Sequence, residues 1–197
     1  MQRPLDRAPR DEPVTGKPTD FVSEDKSKIS AVNSRARLRL FLILTALVIT
    51  LDQLSKLWIN TNRPQTALVP GFLDLVYVRN SGAVFGLFHG HVALFIALSI
   101  IASIAILVLL YYFRPVTNVG AVAFALILSG IVGNLIDRIR FGYVIDFVAF
   151  HVHELFHWPA FNVADAALVV GVFTLIYYFY KWGASRKSHE RDLKPQG

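Results

Sequence analysis

The sequence contains no cysteine. Disulfides, thiolate metal sites and cysteine nucleophiles are therefore excluded, and any hydrolytic chemistry must use other side chains. Charge is also scarce: 17% of residues are charged and 54% are hydrophobic, a departure from soluble composition toward the membrane class. No internal repeat is evident, which counts against a transporter built from inverted repeats. The net charge of +6 suggests nucleic acid at first sight. The basic residues nevertheless sit mostly in tails flanking apolar runs, where lipid headgroups and topology rules want them, so no nucleic-acid partner is expected.

What the chain does have is four long apolar stretches, at roughly Leu40–Ile59, Val92–Phe113, Val119–Ile136 and Phe161–Tyr180. Each is near the ~20 residues a helix needs to cross ~30 Å of hydrocarbon. The first is no signal peptide, because Asn60-Thr61-Asn62-Arg63 follows it rather than a small-residue cleavage site. The expected fold class is thus an all-α membrane protein of four transmembrane helices carrying a small extracytoplasmic β-sheet. Residues 1–36 read as a disordered cytoplasmic tail, 37–182 as the transmembrane domain with outer loops 60–91 and 137–160, and 183–197 as a basic cytoplasmic tail.

An even number of spans puts both termini on one side. Lys26, Lys28, Arg35, Arg37, Arg39, Arg114, Lys181, Arg186, Lys187, Arg191 and Lys194 flank that side, against Arg63, Arg79, Arg138 and Arg140 in the other two loops, so the termini are expected in the cytoplasm. In the first outer loop, Thr66–Val78 is rich in β-branched and aromatic residues broken by Pro70-Gly71, which predicts two short strands. Gly142–Phe150 in the second is β-prone as well.

Ionisable residues in or beside spans are expensive, and the default reading of them is functional. Asp52, Gln53 and Lys56 lie in the first span, with Asp52 and Lys56 four apart on one helix face, the spacing of a structural ion pair. Asn80 follows the first β-like run, in a turn that doubles as a site loop. Asn134, Asp137 and Arg138 share one face at the end of the third span. They read either as an Asp–Arg pair snorkelling at the interface, with Gly130 and Gly133 allowing close helix packing, or as support for reactive groups. Asp146 interrupts the apolar run Val144-Ile145-Asp146-Phe147, and Asp165 follows Asn162 in the first turns of the fourth span. Only residues 147–164 separate these two aspartates, and both approach the outer surface. Two carboxylates that meet share a proton, so that one activates water while the other protonates a peptide carbonyl; Asp165, beside a helix N-terminus, suits the ionised role and Asp146 the protonated one.

A rival lies between them, since His153-Glu154-Leu155-Phe156-His157 matches the H-E-x-x-H zinc pattern, with His151 or an Asp as a third ligand. That pattern needs a helix, which Trp158-Pro159 disfavours here, and no metal is expected. A proton- or ion-coupled transporter using Asp52, Asp146 and Asp165 as a relay is the main alternative outside enzymes, and an assembly factor docking through the outer sheet is another.

Five blocks, Leu51–Lys56, Asn80–Gly86, Gly133–Arg138, Val144–Phe147 and Phe161–Asp165, occur in the order that resembles lipoprotein signal peptidase, signal peptidase II. The resemblance covers about residues 40–182. It implies a bacterial inner-membrane aspartic endopeptidase that needs no cofactor and removes signal peptides from diacylglyceryl-modified prolipoproteins, cutting just before the lipidated cysteine. By carry-over, Asp146 and Asp165 are catalytic, Asn80, Asn134, Arg138 and Asn162 line the site, and Asp137 supports it. A monomer, contact with membrane lipids and inhibition by globomycin-type cyclic peptides are further expectations. The H-E-x-x-H match is no part of this pattern.

Overall fold

The structure is a computed structural model, described over residues 18–82, 90–113, 117–152 and 156–192. The chain divides between Arg35 and Ala36 into two units. Helix α1 spans Pro18–Asn62, α2 Val92–Phe113, α3 Asn118–Phe141 and α4 Val163–Asp192; strands β1 (Thr66–Val69), β2 (Leu73–Asn80), β3 (Val144–Val152) and β4 (Phe156–Phe161) complete the fold. Among the described residues, four helical segments are long and apolar enough to cross a membrane: Ser34–Asn62, Val92–Phe113, Asn118–Phe141 and Val163–Lys181.

Helix α1 begins inside the segment that composition assigned to a disordered tail. Nothing between Thr19 and Asn62 is proline or glycine, so no residue type halts a helix there, and Pro18 occupies the first turn, where its missing N–H leaves no bond unmade. Helix α4 likewise continues to Asp192, through most of the expected basic tail. The third span runs five residues past Ile136. Arg138 and Arg140 occupy its last turn, where cations are favoured, and Gly142 (φ 76°) closes it by donating its N–H to the Arg138 carbonyl.

The strands form one antiparallel sheet in the order β1-β2-β3-β4. Pro70 and Gly71 make the expected turn between β1 and β2: the Phe72 N–H donates to the Val69 carbonyl at 3.0 Å, and Gly71 takes the positive φ (76°) that a type II turn requires. Strand β4 was not expected, since its Pro159 is a poor strand residue; it sits at the sheet edge, where a missing N–H is tolerated.

Helices α3 and α4 pack through small residues, as spans do where apolar surface gains nothing by leaving lipid. A Cβ on Gly130 would strike the Ala164 carbonyl oxygen, and one on Gly171 would come within 2.8 Å of Ile127. Phe41 of α1 packs with Ala121, Phe124, Ala125 and Leu128 of α3 in one apolar cluster. A second cluster joins Ile59 of α1 to Ile145 and Phe147 of β3, tying the sheet to the bundle. Because side chains alternate along a strand, Asp146, between Ile145 and Phe147, points to the opposite face.

Candidate active site

The polar residues singled out from the sequence converge on one buried network where α1, α3, β3 and the start of α4 meet. Its base is a buried cation. Lys56 Nζ lies 2.9 Å from Asp52 Oδ2 and 3.0 Å from Asp137 Oδ2, and donates to Asn134 Oδ1 at 2.9 Å. Lys56, Asp52 and Asp137 are each 2% exposed or less, so the three charges depend on one another for compensation. Gln53 Nε2 reaches Asp52 Oδ2 and Asp137 Oδ1, both at 3.1 Å, and the Gly133 carbonyl at 3.2 Å. The ion pair expected within α1 is therefore one edge of a larger structure. A Cβ on Gly133 would come within 2.7 Å of Asp52 Oδ2, so the close approach of α1 to α3 depends on that glycine.

The snorkelling Asp137–Arg138 pair does not form. Asp137 turns inward to Lys56 and also accepts the Ile145 N–H at 3.1 Å, fixing the start of β3. Arg138 lies over the Phe95 ring of α2, 5.1 Å from its centroid, and reaches the Asn134 carbonyl at 3.5 Å.

Helix α4 opens with a reciprocal cap. Asn162 Oδ1 accepts the Asp165 N–H at 2.9 Å, and Asp165 Oδ2 accepts the Asn162 N–H at 3.2 Å, which is the logic of a capping box with Asn and Asp in place of Ser and Glu. The Ala164 N–H, one of the unpaired donors of the first turn, is taken by Asp52 Oδ1 at 2.9 Å. Asp165 is thus both a capping carboxylate and part of the network, where Asn134 Nδ2 donates to its Oδ1 at 2.8 Å.

Asp146 arrives from the sheet. Its Oδ2 accepts from Asn80 Nδ2 at 2.9 Å and its Oδ1 from Asn162 Nδ2 at 2.7 Å. Asn80 ends β2, opposite Val144 of β3, and its own Oδ1 accepts the Gly82 N–H at 3.0 Å, which pins the amide toward Asp146. Asn162 therefore bridges the two aspartates, with its side-chain amide on Asp146 and its backbone N–H on Asp165; the same amide also reaches Asn134 Oδ1 at 3.1 Å and the Ile145 carbonyl at 3.3 Å. Burial raises the Asp146 carboxyl from its ordinary 3.8 to about 7, and the charge of Asp165 pushes the same way; the amides of Asn80 and Asn162 and the charge of Lys56 oppose the rise without cancelling it.

All ten polar residues chosen from the sequence, Asp52, Gln53, Lys56, Asn80, Asn134, Asp137, Arg138, Asp146, Asn162 and Asp165, join this network or, for Arg138, border it. Gly133 gives the close helix packing expected of it, whereas Ala164 was not singled out; its contribution is a backbone N–H, which carries no chemical signature. Of the H-E-x-x-H segment, His157 lies on strand β4 opposite His151, with the two rings stacked 5.6 Å apart. The helix that pattern requires is not formed at His157, and His153 and Glu154 lie outside the described residues.

The family model described as signal peptidase (SPase) II matches residues 44–181. A lipoprotein signal peptidase of Syntrophotalea carbinolica is 45% identical over 150 residues, covering 72% of this chain and 91% of that one. Another, from Moorella thermoacetica, is 42% identical over 140 residues, covering 70% and 90%. Among solved structures, a bacterial membrane enzyme determined by the in meso method at 2.3 Å superposes with a TM-score of 0.63 at 28% identity, over 80% of this chain and 93% of that one. A second, at 1.9 Å, gives a TM-score of 0.60 at 31% identity, over 71% and 91%. The matched region contains every residue of the buried network, and on these grounds the chain belongs to the signal peptidase II family.

Proposed function

We propose that this chain is an intramembrane aspartic endopeptidase that removes the signal peptide from diacylglyceryl-modified prolipoproteins, cleaving on the N-terminal side of the lipidated cysteine. The observation that carries the mechanism is the Asn162 bridge, which holds a carboxyl that keeps its proton up to about pH 7 beside a second carboxylate. In this reading Asp165, accepting from Asn134 and from the Asn162 N–H, is the ionised member and takes a proton from water as the oxygen attacks the scissile carbonyl carbon. Asp146 gives its proton to the carbonyl oxygen. The tetrahedral diol then collapses, with the proton on Asp165 passing to the departing amine and Asp146 recovering its own. No side chain becomes covalently bound.

Asn80, Asn134 and Asn162 hold the two carboxyl groups, Arg138 offers a cation at the rim, and Asp52, Gln53, Lys56 and Asp137 hold α1, α3 and the sheet in register. The relay alternative is disfavoured by Asp52, whose two oxygens are already committed to Lys56, Gln53 and the Ala164 N–H. The site belongs at the outer face of the bacterial inner membrane with both termini in the cytoplasm. There the acyl chains of the substrate hold the scissile bond at the interface, and binding energy from the lipid serves to orient the peptide.

The test incubates purified protein with a diacylglyceryl-modified prolipoprotein and compares Asp146→Asn and Asp165→Asn with the unmutated chain. Each substitution is expected to lower cleavage by at least about a hundredfold, since each removes a proton-transfer group. Normal cleavage by either variant would overturn the pair, and activity lost to a chelator and restored by zinc would promote the histidine segment instead.

A further inference from the structure

Three arginines from distant parts of the sequence come together beside the sheet with no acidic partner among the described residues. Arg63 follows α1, Arg79 lies on β2 and Arg140 is in the last turn of α3. All three are exposed, and none forms an ion pair with a carboxylate of the described residues. What they have instead is aromatic support. Arg63 lies over the Tyr77 ring at 5.3 Å, Arg79 over Tyr77 at 5.6 Å and Tyr143 at 5.0 Å, and Arg140 over Phe141 at 5.0 Å, while Phe141 stacks on Tyr143 at 5.8 Å.

The arrangement is held in shape. The Tyr77 hydroxyl accepts from Arg79 Nε at 3.0 Å and donates to Asn60 Oδ1 at 3.0 Å, which ties the Arg79 guanidinium to the end of α1. Arg63 adopts φ 45°, a left-handed conformation uncommon outside glycine, while its N–H closes α1 on the Ile59 carbonyl. The charge bias makes the cluster more pointed: arginines are disfavoured in the loops opposite the basic tails, yet three of the four in those loops converge here. Guanidinium forks stacked on aromatic rings at the end of a transmembrane helix sit at headgroup depth, and their planar geometry fits the two free oxygens of a phosphodiester.

We propose that Arg63, Arg79 and Arg140, held on Tyr77, Tyr143 and Phe141, form a binding site for the phosphodiester headgroup of an anionic phospholipid. The site is independent of peptide cleavage, and its failure would leave the peptidase reading untouched.

The full chain, purified in detergent and stripped of lipid, is titrated with dioleoylphosphatidylglycerol, dioleoylphosphatidylcholine or inorganic phosphate, and bound ligand is counted by native mass spectrometry. Each arginine near an anionic headgroup is worth on the order of fivefold in affinity. Arg63→Gln, Arg79→Gln and Arg140→Gln should each weaken phosphatidylglycerol binding by about that factor, and the triple variant by on the order of a hundredfold. Lys181→Gln, which removes an exposed cation over Tyr177 of α4, should leave binding unchanged. Arg79→Lys should bind more weakly than the unmutated chain and more tightly than Arg79→Gln, because the lysine keeps charge and loses the fork. Should the triple variant fail to fold, the three single variants decide. Equal binding of the two lipids, unchanged binding by the single variants, or displacement of the lipid by millimolar phosphate would overturn the proposal, the last by assigning the cluster to a soluble anion.

Discussion

Asp146 is where the local physics is most exposed. Its carboxyl holds its proton to about pH 7 in the folded protein and releases it near 3.8 when the chain is unfolded. In the proposed reaction Asp146 must carry that proton, so kcat/KM should fall as pH rises through about 7, checked by a pH–rate profile on a substrate without titrating groups in that range. The linkage to stability has a definite sign. Between about pH 4 and 7 the folded state binds the proton that the unfolded state has lost, so stability decreases with rising pH across that window and levels off above it. Asp146→Asn should lessen that dependence in thermal unfolding followed from pH 5 to pH 8. Lys56 presents the converse case, a charge whose removal leaves two buried carboxylates uncompensated. Lys56→Met should destabilise the protein by about 3–5 kcal/mol in denaturant unfolding and lower activity with it.

At the scale of elements, the start of α4 is the critical piece. Asn162 caps the helix and bridges the aspartates with the same side chain. Asn162→Ala should therefore cost about 1–3 kcal/mol through the lost cap and lower cleavage far more than that loss of folded protein explains, a split read by comparing unfolding with specific activity. Gly130→Ala drives a methyl group into the Ala164 carbonyl, one residue before Asp165. It should cost on the order of 1–3 kcal/mol and reduce activity, measured the same way. The spans, the β1–β2 hairpin and the i,i+4 pair Asp52–Lys56 were legible in the sequence because each follows from composition or spacing over a few residues. Contacts made across the chain were not. That Asp137 would choose Lys56 over the adjacent Arg138 depends on how α1 lies against α3, and strand β4 is stabilised by pairing with β3 rather than by its own residues. The place of Asp165 at a helix start was legible too, since Asn followed three positions later by Asp ahead of an apolar run is a helix-start signal.

For the whole molecule, the lack of cysteine makes topology directly measurable. Thr66→Cys, in β1, should react with a membrane-impermeant maleimide on intact spheroplasts, whereas Thr117→Cys, capping α3 at the opposite end of that span, should react only after permeabilisation; the reverse pattern would invert the proposed orientation. The Asn162 bridge also has a meaning in time. The two carboxylates are held by a residue that cannot take its place until the fourth span has begun to wind, so a nascent chain that has inserted only its first three spans carries Asp146 without its counterpart or the amide that aligns them. In the proposed reaction, hydrolytic competence would then appear only when the bundle closes.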